Sequence, residues 1–301
     1  MNLNIKNVVL MLIVVMMGSF LIAGLLGAAS IPFWGGTLIN APLAPYNEVH
    51  QFTAEQITQL DVSTINTDIN FIVTEDDTIK AHLYGEVTPD ALPAEFARQS
   101  GSRLTVTARP RSGINNSRIR LTLDLYVPAQ HLESVQGETV SGDMKLTGLN
   151  IKKLEFYTVS GDMDIRDLSL DTLQFKSVSG RLRAEDVSAA NTNLNTTSGN
   201  LEITGLDGNL IAKTVSGDVT VDYNNFDNDI TFDTTSGKTS LTLPEKAQFT
   251  IRLNTVSGKV DSEFPLTVTS SSSRSFEGRA GDSANRIFIK SVSGSVDIYR
   301  K

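Results

Sequence analysis

Residues 158–165 read Thr158-Val159-Ser160-Gly161-Asp162-Met163-Asp164-Ile165, and the chain returns to that phrase again and again. Its copies carry Ser141-Gly142, Ser160-Gly161, Ser179-Gly180, Ser198-Gly199, Ser216-Gly217, Ser236-Gly237, Ser257-Gly258 and Ser293-Gly294. Successive serines are 19, 19, 19, 18, 20, 21 and 36 residues apart. Self-similarity at a near-constant period marks a stacked or solenoidal architecture, in which no single unit buries its apolar face alone.

Outward from each Ser-Gly the pattern alternates. Behind it come Met144, Met163, Leu182, Leu201, Val219, Thr239, Val260 and Val296. Two residues on come Leu146, Ile165, Ala184, Ile203, Val221, Leu241, Ser262 and Ile298, with polar residues such as Lys145, Asp164 and Arg183 between. Four residues before each serine lie Gly137, Phe156, Phe175, Leu194, Ala212, Phe232, Leu253 and Ile289. A period of two with Thr and Val enrichment predicts strands with one buried face rather than helix. Each copy therefore reads as strand, Ser-Gly corner, strand, and a looser return through segments such as Gly148-Leu149-Asn150. Stacked copies pair at about 4.8 Å, and equivalent residues form ladders.

The 36-residue step holds Ser270-Ser271-Ser272-Ser273 and Gly278-Arg279-Ala280-Gly281, so 266–286 reads as a mobile surface loop inserted in the repeats of 135–301. A weaker copy lies upstream, where Leu60, Val62, Thr64, Ile69 and Phe71 match Leu154, Phe156, Thr158, Met163 and Ile165. Residues 51–134 are expected to form irregular β rungs or a β cap, since a bare terminal rung invites edge-to-edge association.

Val8–Ile31 carries no charged residue, which is long enough for a transmembrane helix. Lys6 precedes it and no Lys or Arg follows before Lys80, so the positive-inside rule predicts residues 1–7 as a cytoplasmic tail and the C-terminal domain as extracellular. Residues 32–50, with Pro32, Pro42 and Pro45, read as a linker. The expected fold is thus an all-β, single-domain β-solenoid on one N-terminal transmembrane helix.

The 301 residues contain no cysteine, which excludes disulfides, thiol catalysis and Cys-ligated zinc. There are 26 Lys and Arg against 34 Asp and Glu, a formal net charge of −8. So acidic a chain argues against a nucleic-acid partner.

The recurring motifs read as structural. A serine nucleophile needs a strand-to-helix elbow and a base, yet eight equivalent serines recur and His50, His82 and His131 all lie outside the regular repeats. The position after Ser-Gly runs Asp143, Asp162, Arg181, Asn200, Asp218, Lys238, Lys259 and Ser295. Basic residues interrupt it, so it reads as a solvated edge rather than a stacked calcium site. The ladder Thr139, Thr158, Ser177, Thr196, Thr214, Thr234, Thr255 and Ser291 reads as inward hydroxyls bonding one another and the corner backbone. Outward Asp164, Glu185, Glu202 and Asp222 offer carboxylate pairs, which any acidic solenoid does. No catalytic, cofactor-binding or metal-ligating residue is assigned.

The Thr-Val-Ser-Gly-Asp-hydrophobic rungs, with Asp61-Val62-Ser63-Thr64-Ile65-Asn66-Thr67-Asp68-Ile69 before them, resemble the putative-adhesin β-solenoid domains of bacterial envelope proteins. The anchor-plus-domain layout is similar to LiaG-type membrane proteins encoded beside cell-envelope stress systems. That resemblance covers roughly residues 50–301, offers no catalytic residues to carry over, and implies a stress-linked envelope role. The expected function is a non-catalytic, membrane-anchored binding or scaffolding module. Its expected partners are the membrane, through the helix, and an envelope glycan or envelope protein. A carbohydrate-active enzyme on a β-helix and a structural adhesin or spacer are the alternatives.

Overall fold

A computed structural model describes residues 43–88, 95–109, 119–129, 132–272, 274–282 and 284–301. The segments expected as a transmembrane helix (8–31) and a tail (1–7), and the first part of the expected linker, lie outside them. Among the described residues no helix is long and apolar enough to cross a membrane. Among the described residues the one helix is a single 3-10 turn, Ala54–Gln56, and every other regular element is a strand.

The copies stack in parallel and in register. Phe156 opposes Gly137 on one side and Phe175 on the other, and Met163 opposes Met144 and Leu182. Strands before the corner form one ladder and strands after it a second. Side chains from both point inward: Leu154, Phe156, Met163, Ile165, Leu173, Phe175, Leu182 and Leu201 are essentially inaccessible to solvent. Apolar burial of this kind contributes roughly 25 cal/mol per Å² and is the main force holding coil to coil.

The return segment is tighter than its sequence suggests. Met163–Ser177, Leu182–Thr196 and Leu201–Thr214 are continuous strands through it. Leu168 pairs with Val187 and Leu170 with Ala189, so the return is a third, short ladder rather than a loose connection. The bend that admits it is left-handed backbone at Gly148 (φ 72°), Asp167 (φ 52°), Asp186 (φ 50°) and Gly205 (φ 74°), each seven residues past a corner serine. Gly adopts this region without cost, and the short polar side chain of Asp is among the few others that tolerate it.

Stack order and chain order part company at both ends. Ile230–Thr234 pairs with Arg286–Ser291, which pairs with Phe249–Thr255. The Ser293 coil therefore lies between the Ser236 and Ser257 coils. Three ion pairs stitch it to the Ser236 coil: Lys238–Asp297 (2.9 Å), Arg286–Asp229 (2.7 Å) and Lys290–Asp233 (3.9 Å). At the other end Gln59–Thr64 lies between Arg103–Ala108 and Ser134–Thr139, so the coil first in sequence is second in the stack.

Two expectations are corrected here. The insertion at 266–286 is not a loop. Thr267–Ser271 and Ser275–Ala280 form a hairpin, and the second strand pairs antiparallel with Phe249–Thr255. Phe276 faces Leu253 and Ala280 faces Phe249 in that pairing, which gives the Ser-rich segment an apolar side to bury. The linker reading of 32–50 fails at its end, because Ala44–Thr53 is a strand antiparallel to Thr78–Val87. Tyr46 and Phe52 on one face of that strand pack against the core. Antiparallel strands thus cover the flanks of the parallel stack, which is how sheet proteins suppress edge pairing.

Candidate functional site

The corner residues come first, because the sequence offers them in greatest number. Ser160 Oγ donates to the Val140 carbonyl (3.3 Å), and Ser179 Oγ to that of Val159 (3.3 Å). Ser141, Ser198, Ser216, Ser236, Ser257 and Ser293 each donate to the equivalent carbonyl of the neighbouring coil. The inward hydroxyls at Thr139, Thr158, Ser177 and Thr196 accept the amide of the corner glycine at 2.6–3.0 Å. Thr64 donates to the Thr139 hydroxyl (2.9 Å), but along the rest of the ladder the corner backbone, not the next hydroxyl, is the usual partner.

The position after Ser-Gly is more than a solvated edge. Asp143 Oδ1 accepts the amide of Asp162 (2.8 Å), Asp162 Oδ1 that of Arg181 (2.7 Å), and Asp218 Oδ1 that of Lys238 (2.8 Å). Asn200 Oδ1 takes the Asp218 amide in the same way (3.1 Å). These carboxylates are stacking devices, which explains why an amide replaces them without loss of the pattern. Among the described residues, no three His, Asp or Glu side chains converge as a metal site.

A groove of about 460 Å³ opens elsewhere, on the outer face of the pre-corner ladder. Four segments far apart in sequence build it. In register across the face stand Thr231, Phe288, Arg252 and Glu277. One row below stand Asp229, Arg286 and Thr250, which also line it. Asp229 accepts from the Arg286 guanidinium at 2.7 Å and from its amide at 2.9 Å. Those hydrogen bonds hold the Asp229 carboxyl below its ordinary value and raise the guanidinium. Glu277 accepts from Arg252 at 3.1 Å. Ile230 and Ile287 beneath are buried, while Phe288 keeps part of its ring in solvent. The floor is thus one aromatic face framed by two hydroxyls and two neutralised ion pairs.

With this geometry in hand, a family model described as Toastrack DUF4097 matches residues 57–299. The chain belongs to the Toastrack DUF4097 family. The family's toastrack match spans every coil from the first described rung to the inserted last one. A crystal structure of a putative adhesin from Bacteroides fragilis NCTC 9343 is similar at a TM-score of 0.50 and 15% identity, over 84% of this chain and 97% of that one. A putative adhesin from Parabacteroides distasonis ATCC 8503 aligns at 0.45 and 12% identity, over 84% and 97%. The Bacteroides likeness speaks to the all-β fold. No curated protein matches the chain.

In this Toastrack domain the repeated polar residues are spent on holding coils together, and the groove draws on residues outside the repeat phrase. Reasoning from repeats missed it because Phe288 meets Thr231, and Arg286 meets Asp229, only when the Ser293 coil takes its out-of-order slot. The one available signal was Phe288 itself, an apolar residue at an outward position between Ile287 and Ile289.

Proposed function

We propose that the protein is a non-catalytic binding or scaffolding module of the bacterial cell envelope, held outside the membrane by an anchor over residues 8–31. The observation that carries the non-catalytic reading is the engagement of the corner serines. Each of the eight donates to a backbone carbonyl, which is the opposite of a hydroxyl poised against a base. The acid-base alternative is weakened at the groove. A general acid of glycoside hydrolysis needs a raised carboxyl pKa, and Asp229 is held low by Arg286. The extracellular placement is supported by the uncharged run Val8–Ile31 and the lack of Lys or Arg between Lys6 and Lys80.

Two measurements test this reading. The chain has no cysteine, so Ser272→Cys is a unique reporter on the hairpin turn. On intact cells a membrane-impermeant maleimide is expected to label it; labelling only after lysis refutes the placement. The full chain incubated with isolated envelope glycans is expected to release no soluble fragments while retaining envelope components on pull-down. Steady release of reducing ends would make it an enzyme, and retention of nothing would make it a spacer.

A further inference from the structure

The groove at Phe288 can be read further, and that reading rests on the binding function just proposed. We propose that it is a subsite for a neutral oligosaccharide lying across the Ser236, Ser293 and Ser257 coils, with the Phe288 ring as its stacking platform.

Four features of the groove point to that chemistry. First, a sugar presents an apolar C–H face and a rim of hydroxyls. The groove presents a partly exposed ring between Thr231 and Arg252, with further hydrogen-bonding groups at Asp229, Arg286 and Glu277. Second, the charges cancel locally. Asp229 is matched by Arg286, Glu277 by Arg252, and the next row holds Asp233 against Lys290. Such a floor has little net field with which to gather a polyanion or a polycation. Yet each guanidinium has five N–H donors and each carboxylate several lone pairs, so the pairs keep hydrogen-bonding capacity and fixed orientation.

Third, the surface is wrong for a peptide that adds as a strand. Arg286–Ser291 is paired on both sides, and so is Phe249–Thr255, so their main-chain groups are already used. Strand addition needs a free edge. Fourth, the dimensions suit a short chain of sugars. The volume of about 460 Å³ lies within the range of about 300–1,000 Å³ for small-molecule sites. A linear polymer running along the stack meets one outward side chain about every 4.8 Å. That row continues from the groove through Ile211 and Asn193 to Gln174.

Titration calorimetry on the full chain, held in a nanodisc free of glycolipid, tests the proposal. The probes are the neutral hexamers of N-acetylglucosamine and of maltose-type glucose, with hexagalacturonate as an anionic counterpart of equal length. At least one neutral hexamer is expected to bind and hexagalacturonate not to. Phe288→Leu is expected to weaken binding about tenfold, the size of one aromatic stacking contact. Phe288→Tyr keeps the ring and should keep the affinity. Tyr157→Leu, on the same ladder but outside the groove, should change nothing. Far-ultraviolet circular dichroism confirms that each variant is folded. Binding of neither neutral hexamer, preference for the anionic one, or a Phe288→Leu affinity equal to the parent overturns the proposal. In any of those cases, envelope components still retained on pull-down leave the broader binding function standing. If nothing is retained either, both fall together.

Discussion

Replacing Gly180 with alanine isolates the contact on which the stack depends. The added Cβ would lie 2.0 Å from the Gly161 carbonyl oxygen and 2.9 Å from its carbon. Gly180 does not sit in left-handed backbone, so no conformational penalty confuses the reading. Real Cβ contacts hold at 3.0 Å or more, so the two coils must part locally by about an ångström. Three bonds cross or brace that corner: Ser179 N to Val159 O (2.8 Å), Gly180 N to Ser177 Oγ (2.6 Å) and Arg181 N to Asp162 Oδ1 (2.7 Å). Overpacking costs about 1–3 kcal/mol. Losing or stretching the bonds adds about 1 kcal/mol for each one broken. A loss of about 4 kcal/mol follows, a large share of the roughly 5–15 kcal/mol that holds an ordinary domain together. Urea unfolding of the unit 41–301, followed by circular dichroism, reads it directly. Gly101→Ala is the control. It has φ 60° and nothing within 4 Å, so it should lose only about 1 kcal/mol. If Gly180→Ala costs no more than Gly101→Ala, carbonyl-to-glycine stacking does not govern the corner.

Thr239 is buried between Val219 and Val296, and its hydroxyl finds no partner among the described residues. Thr239→Val should therefore stabilise by about 1 kcal/mol in the same urea experiment, and any loss refutes the orphan reading. Asp167→Gly should be nearly neutral, whereas Asp167→Val should cost about 1–2 kcal/mol because a branched side chain resists φ 52°. Asp229 has its folded pKa lowered by the hydrogen bond from Arg286, so its contribution is present above the ordinary value of 3.8 and disappears as pH falls through the lower folded value. Carboxyl NMR should show Asp229 titrating below 3.8 in the parent and moving upward in Arg286→Ala; an unmoved titration refutes the pairing. Removing residues 285–301 should leave the Ser257 coil and its hairpin without their parallel neighbour, so limited proteolysis with mass spectrometry should cut within 245–284 and spare 134–243.

Much of the coil was readable from one phrase. The alternation of Met163, Ile165 and Phe175 with polar neighbours determines which side faces in, because a period of two permits no other assignment. The glycines were readable as necessary but for an incomplete reason. The corner needs them less for turn geometry than because each is pressed against a backbone carbonyl of the next coil, that of Thr67 for Gly142 and that of a corner glycine for the others. The Asp ladder was discounted because Arg181 and Lys238 interrupt it, yet only the residue beneath an amide needs to be an acceptor. Arg181 uses its own amide on Asp162, and Lys238 uses its own on Asp218. The hairpin at 267–280 was hidden by composition, since Ser-rich runs normally signal loops. Its strands are imposed by the flank of Phe249–Thr255, a tertiary cause with no local signature.

The order of the coils was the least accessible feature, and it has the largest consequence for the groove. Equivalent phrases are interchangeable by design, so nothing in Thr-Val-Ser-Gly says which neighbour a copy will meet. What discriminates is outward chemistry: Lys238, Arg286 and Lys290 find Asp297, Asp229 and Asp233 only if the Ser293 coil slips in beside Ser236. Exposed ion pairs contribute little to stability, commonly below about 1 kcal/mol each. Against near-degenerate registers, however, a small bias decides the outcome, as charged flanks do in coiled coils. The same displacement carries Phe288 between Thr231 and Arg252 and so assembles the groove. In a strictly sequential stack Phe288 would lie beyond Arg252 and the Thr231 side would be occupied by Arg252 instead. The repeat thus supplies a scaffold tolerant of reordering, and the reordering brings together the residues that no single copy carries.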